Sequence, residues 1–217
     1  MTYHVAGLDL SLSNTGVAVA RGGSPVTVHN VTSGPSKSIE LEDGTTTASL
    51  LDRRDRLQHL AARVIRHALA GYNPEVDDAP LFVVEAPLYR APMVRDPKTN
   101  QLKPLQGGGH AHDRAGLWWL VTHLLFKQGF VVEVSTTTMK RYATGTGGGK
   151  KVGVLRYAAL NFPHLLALDD NASDAVALCA MGARQLGHPL EPSVQRVTPA
   201  ALASVNWPSS TQRRNHA

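Results

Sequence analysis

The chain has 217 residues, 42% of them hydrophobic, and 22 Lys and Arg against 17 Asp and Glu leave a net charge of +5. That length suits one domain with a full core. With no 18-residue apolar run and no basic-then-apolar leader, a soluble, cytoplasmic protein without a membrane span is expected. Cys179 is the only cysteine, which excludes an internal disulfide framework. It lies in the apolar run 175–180 and reads as a buried helix residue, since a reactive thiol needs an electropositive setting.

Tyr3 to Asp9 reads as an apolar strand that ends on an acid, and a strand end holds a carboxylate rigidly at the edge of a sheet. The polar turn Leu10 to Gly16 leads into a second strand, Val17 to Ala20. Pro25 to Ser33, with valine at 26, 28 and 31, predicts a third strand, and Gly34 to Thr47 a loop or frayed strand extension. From Ser49 to Ala70 the apolar residues Leu50, Leu57, Leu60, Ala61, Val64 and Ala68 keep helical spacing, with arginines on the other faces: a surface helix over a sheet.

Leu81-Phe82-Val83-Val84 reads as a buried parallel strand, and it ends on Glu85. Residues 90–112, rich in Pro, Gly, Lys and Gln without periodicity, read as a mobile loop. Asp113 to Gln128 carries the best helical stripe (Leu117, Leu120, Val121, Leu124, Leu125) and Gly129 stops it. Trp118 and Trp119 are adjacent, so one of them meets either a partner subunit or the loop before the helix.

Phe130 to Val134 is a further strand, Ser135 to Tyr142 a short Thr-led turn, and the glycine loop 145–149 leads into a helix from about Lys150. Asn171 to Gly187 is the last helix, with Asn171 as its N-cap and Val176, Cys179, Ala180 and Ala183 facing inward. Residues 1–187 form one α/β domain, a mixed sheet covered by helices on both faces. The Pro-rich, basic stretch 188–217 reads as a flexible tail.

Charge placement adds chemistry. No acid occurs between Val134 and Leu168, while Lys140, Arg141, Lys150, Lys151 and Arg156 fall there. A one-signed patch beside glycines suits a polyanion such as nucleic acid, although the same pattern describes a solvated basic face. Gly145-x-Gly147-Gly148-Gly149-Lys150 departs from a nucleotide-binding P-loop, because Lys151 stands where Ser or Thr must follow the lysine. No nucleotide cofactor is therefore expected, and the loop would instead deliver Lys150 to a DNA phosphate.

Asp9, Glu85 and Asp174 come from distant parts of the chain. If the first and fourth strands are neighbours, Asp9 and Glu85 share one notch, and a helix start laid across it adds Asp174. Three crowded carboxylates repel, and hard cations such as Mg²⁺ or Mn²⁺ would hold them together. Two such ions support in-line phosphodiester hydrolysis. Asp174 has a second reading, as the partner of Asn171 in a variant capping box.

Taken together, Gly7-Leu8-Asp9-Leu10-Ser11 with Thr15-Gly16, Val83-Val84-Glu85, Arg114-Ala115-Gly116, Met139-Lys140-Arg141, Gly145-Thr146-Gly147 with Lys150, and Ala172-Ser173-Asp174-Ala175 resemble the RuvC-type Holliday junction resolvases of the ribonuclease H-like superfamily. The resemblance covers about Tyr3 to Gly187. It implies a five-stranded ribonuclease H-like sheet and a homodimer that makes paired incisions in a four-way DNA junction. It also implies two metal ions bridged by Asp9 and completed by Glu85 and Asp174, with Lys150 beside the phosphate. Arg114, Lys140, Arg141 and Lys151 join the DNA-binding set, and Tyr89 takes the place of the aromatic that contacts bases near the junction centre.

Where the family has an acid or a histidine three residues before the last aspartate, this chain has Asn171. A helix starting one residue earlier would let Asp170 fill that position, Asp169 is a further candidate, and Asn171 would serve through its amide oxygen. Two other functions remain at this level: a related nuclease acting on RNA precursors, and a non-cleaving junction-binding protein. An actin-like or sugar-kinase ATPase, which opens with a similar strand, needs two such domains and more chain than this.

Overall fold

The computed structural model describes residues 2–35, 38–40, 42, 44, 46–87, 93–95, 100–104, 111–148, 151–166, 168–192 and 199–209. Its centre is a five-stranded sheet of β1 (His4–Asp9), β2 (Asn14–Arg21), β3 (Thr27–Thr32), β6 (Leu81–Glu85) and β9 (Phe130–Val134), in the order β3-β2-β1-β6-β9. β1, β2 and β3 pair antiparallel, whereas β6 runs parallel to β1 and β9 parallel to β6. The helices are α1 (Leu50–Ala68), α2 (Ala111–Phe126), α3 (Thr136–Thr144), α4 (Lys151–Asn161), α5 (Asp170–Gln185) and α6 (Pro199–Ala203).

β1 is buried along its whole length, as its apolar sequence requires of a central strand covered on both faces. Alternation splits its side chains between two cores. Ala6 and Leu8, with Phe82 and Val84 of β6, pack under α1 and α2 against Leu60, Val64, Leu117, Val121 and Leu125. Val5, with Leu81 and Val83, faces α5 in a second core that includes Tyr142, Tyr157, Phe162 and Cys179. Cys179 is wholly buried, which pushes its thiol up to about 12, so the reading of an unreactive core residue stands.

The backbone of α5 lies directly on the sheet. A Cβ added to Gly7 would stand 2.1 Å from the Ala175 carbonyl oxygen and 2.3 Å from the Cys179 nitrogen, and one on Gly16 would stand 2.1 Å from the Asn171 carbonyl oxygen. Only glycine at these two positions permits so close an approach.

Several local expectations change. The stretch 34–47 contains a two-stranded pairing of β4 (Ser38–Glu40) with β5 (Thr46–Ala48), and the loop 90–112 a pairing of β7 (Met93–Arg95) with β8 (Leu102–Pro104). Leu50, counted in the apolar stripe of α1, is 81% exposed, and that helix begins on a Ser49 cap that accepts the Asp52 amide.

The Thr-led turn is the helix α3, started by Ser135 accepting the Thr138 amide and held by the burial of Met139, Tyr142 and Ala143. Its threonines are weak helix formers, and packing outweighs that preference. Asn171 is not the cap of the last helix: Asp169 is, accepting the Ala172 amide at 2.8 Å.

Among the described residues of 188–217, some side chains reach the core. Leu190, Leu202, Val205 and Trp207 lie against the α5-side core and Ala201 is buried within it. Glu191, buried, accepts from the hydroxyls of Tyr142 and Tyr157, the latter at 2.6 Å, and its other oxygen pairs with Arg184 at 2.8 Å. Residues 193–198 and 210–217 lie outside the described residues.

Candidate active site

The parallel register of β1 on β6 pairs Leu8 with Val84, so Asp9 and Glu85, next along each strand, occupy neighbouring positions at the same sheet end. They also share a face. Val5 and Val83 both abut the position of Gly182 on α5 and Gly7 lies under Ala175 and Cys179, so by alternation Asp9 and Glu85 belong to the α5 side. Asp9 is buried to all but 8% of its surface and Glu85 is half-buried.

The first turns of α5 cover the same end. Asp9 pairs in register with Gly16, and Gly16 lies against Asn171 and Ala172. Asp174, half-buried, follows within one turn. With Asp169 as the cap, Asp174 is five positions into the helix, so the capping-box reading of Asn171 and Asp174 does not hold.

Asp169 is engaged on the β2 and β3 side. One oxygen accepts from Asn14 Nδ2 at 2.6 Å and Asn30 Nδ2 at 3.0 Å, and the other takes the Ala172 amide. Asn171 Nδ2 donates to the Asn14 carbonyl. Asp170 is the first residue of α5 and lines a shallow cleft with Asn14, Leu155, Asp169 and Asn171.

Glu85 is held by Thr136, which the sequence did not single out, and by Trp118, for which the sequence suggested no link to Glu85. Thr136 Oγ1 donates to Glu85 Oε1 at 2.6 Å, and Trp118 Nε1 donates to the Glu85 carbonyl oxygen at 2.9 Å. A hydroxyl two residues past the end of a neighbouring strand was the available signal for Thr136. Trp119, by contrast, is 66% exposed, with its ring against the edge of Trp118 at 5.0 Å between centroids.

Of the basic residues, Arg114 is exposed one turn before Trp118 on α2, and Lys140 lies one turn beyond Thr136 on α3, beside exposed Arg141. Tyr89 and Lys150 lie outside the described residues, as does the side chain of Lys151.

A pair of strand-end carboxylates with further acids on α5 is an all-oxygen donor set, and that chemistry fits a hard divalent cation. Among the described residues, no group of three or more His, Cys, Asp and Glu side chains stands ready to hold a metal ion.

No protein-family model matches the sequence, and no curated protein does. Solved structures do. One is Thermus thermophilus RuvC, 16% identical, with a TM-score of 0.53 over 85% of this chain and 96% of that one. Another is T. thermophilus RuvC in complex with a Holliday junction substrate, 17% identical, with a TM-score of 0.52 over 86% and 97%. The fold is that of RuvC. The five-stranded mixed sheet expected of a ribonuclease H-like chain is thus present, with β1, β6 and α5 as the elements that carry the three acids. Among the described residues, no helix is long and apolar enough to cross a membrane.

Proposed function

We propose that the protein is a metal-dependent, structure-selective DNA endonuclease that resolves four-way and other branched junctions by paired phosphodiester hydrolysis. The observation that carries this reading is the neighbouring placement of Asp9 and Glu85 on one face, under the first turns of α5. The shared fold supports it, since one protein with that fold was solved with a Holliday junction substrate.

Asp9, Glu85 and Asp174 are the residues that would hold Mg²⁺ or Mn²⁺, two ions per site, with Asp170 as the additional carboxylate. Asp169 is spent on the cap and two asparagines, and Asn171 directs its amide nitrogen to Asn14, leaving only its weaker amide oxygen. Such ions, when bound, supply an activated water and a counter-charge for the leaving oxygen.

The protein's own part is positioning. Strand ends fix the backbone positions of Asp9 and Glu85 relative to each other. Arg114, Lys140, Arg141 and Lys151 attract the phosphates, Lys150 offsets charge developing on the scissile phosphate, and Tyr89 stacks on a base near the junction centre.

Two equivalent cuts call for two equivalent sites, hence a homodimer, and exposed Trp119 and Leu50, beside half-buried Leu57, are the apolar face offered to the second copy. Residues 1–187 supply the nuclease domain, and the segment after them supports it. Neither a nucleotide cofactor nor a membrane takes part, and the protein acts in the cytoplasm.

Incubation with an end-labelled four-way junction in Mg²⁺, Mn²⁺ or chelator, beside the Asp9→Asn variant, tests this. Symmetric nicks that vanish with chelator and with Asp9→Asn, while junction binding persists, are the expected result. Binding without cleavage in either metal would favour a non-cleaving junction protein. That second reading draws on the bond from Asn171 to Asn14 and on the open carboxylate set. Cleavage of structured RNA alone would favour a nuclease of RNA precursors.

A further inference from the structure

We infer that Thr136 is a positioning residue for Glu85, its hydroxyl fixing the carboxylate that would meet the cation. The inference rests on the nuclease reading and goes beyond it by assigning a residue outside the acidic set. Val134 pairs with Glu85 across β9 and β6, so the turn of chain after Val134 delivers the start of α3 to the side of Glu85. Thr136 is the first residue of that helix, and its Oγ1 donates to Glu85 Oε1 at 2.6 Å.

The hydroxyl is not needed to start the helix. Ser135 already caps it, accepting the Thr138 amide at 3.2 Å and donating to Thr138 Oγ1 at 2.9 Å. At the first helical position there is also no carbonyl one turn earlier for a threonine hydroxyl to bond, so Thr136 can turn its donor outward to the carboxylate. A β-branched side chain in a helix has few χ1 states to lose in doing so.

Glu85 has three rotatable side-chain bonds and sits on a strand end. Its backbone is tied by Trp118, but that bond leaves the carboxylate itself free to swing. One short hydroxyl bond on Oε1 fixes the carboxylate plane and leaves Oε2 for a cation. Hydrogen bonds that orient metal-binding carboxylates in this way commonly account for about 10–100-fold in metal affinity or activity.

The test compares Thr136→Val and Thr136→Ala, which lack the hydroxyl, with Thr136→Ser, which retains it. Mn²⁺ binding to the full chain is read by calorimetry and by the electron paramagnetic resonance of free Mn²⁺. The Mn²⁺ concentration for half-maximal junction cleavage is measured in parallel.

Val and Ala are expected to weaken Mn²⁺ binding by about 10–100-fold and to raise the half-maximal concentration by the same factor. Ser should recover most of both, with thermal midpoints and metal-free junction binding unchanged. A purely structural role predicts the reverse, a lowered thermal midpoint with Mn²⁺ affinity intact, and overturns the inference. Wild-type affinity in either Val or Ala overturns it, as does a wild-type chain that binds no Mn²⁺. A wild-type chain that binds Mn²⁺ tightly yet leaves junctions uncut removes the nuclease reading alone, because the metal-binding comparison still decides on Thr136.

Discussion

Gly16→Ala tests whether the site depends on backbone contact between α5 and the sheet. The added Cβ would stand 2.1 Å from the Asn171 carbonyl oxygen and 2.9 Å from the Ala172 nitrogen, where ordinary contact begins at 3.4 Å. The first turn of α5 must therefore lift by about 1.3 Å, a distance over which packing contacts are lost outright. Neither neighbour is a flexible side-chain tip, so the overpacking penalty falls at the upper end of its usual range, about 3 kcal/mol, or roughly 150-fold in the folding equilibrium.

The same lift stretches the bonds of Asp169 to Asn14 and Asn30 and carries Asp174 away from Asp9. A misplacement on the order of 1 Å costs about 100-fold in rate. Urea unfolding and the rate of junction cleavage read the two effects separately. Gly34→Ala is the control: nothing lies within 4 Å of its added Cβ, so a change within about 0.5 kcal/mol is expected. Wild-type stability and cleavage in Gly16→Ala would refute the argument that α5 is seated by glycine contact.

Glu191→Ala should destabilise the fold by about 3–5 kcal/mol, because it strands the Arg184 guanidinium and the hydroxyls of Tyr142 and Tyr157 without their buried acceptor. Urea unfolding checks it, and a change under about 1 kcal/mol would mean that this C-terminal segment is dispensable to the domain.

Stability should also fall with acid through His4. Burial lowers its pKa below the ordinary 6.5, against a partial upward pull from the bond to Ala68 and from Asp77, with Arg21 adding to the lowering. Nε2 donates to the Ala68 carbonyl at 2.8 Å, while Nδ1 is buried with no hydrogen-bond partner among the described residues. The unfolded chain therefore takes up a proton that the folded chain refuses. This contribution is complete above pH 6.5 and is lost as pH falls from there toward the depressed folded value. His67 is shifted the same way. The slope of unfolding free energy against pH below 6.5 should flatten in His4→Gln, and an unchanged slope would remove His4 as its source.

The central strands were legible because each is short, apolar and closed by an acid or a turn. Leu81 to Glu85 and Phe130 to Val134 fall where their composition places them. The Asp9 and Glu85 positions were legible for the same reason. What misled were segments whose local preferences run against their final state. Ser135 to Thr144 opens on threonines that disfavour a helix, and three of its later residues are buried in the core. In the stretch read as a Pro-rich tail, Leu202, Val205 and Trp207 lie against the core, a long-range contact that composition does not announce. Asp169, not Asn171, caps α5 because Asn14 and Asn30, more than 130 residues earlier, donate to its carboxylate, and no local pattern announces such partners.

By itself, then, the sequence determined the kinds of element and the strand-end carriers of Asp9 and Glu85, since periodicity and strand length are local properties. Only the tertiary structure decided that β6 lies beside β1 in the register that makes those two acids neighbours. It alone set α5 on Gly7 and Gly16 and brought the Thr136 hydroxyl to Glu85. Those outcomes depend on long-range packing, where a single register step would turn every side chain of a strand to the opposite face.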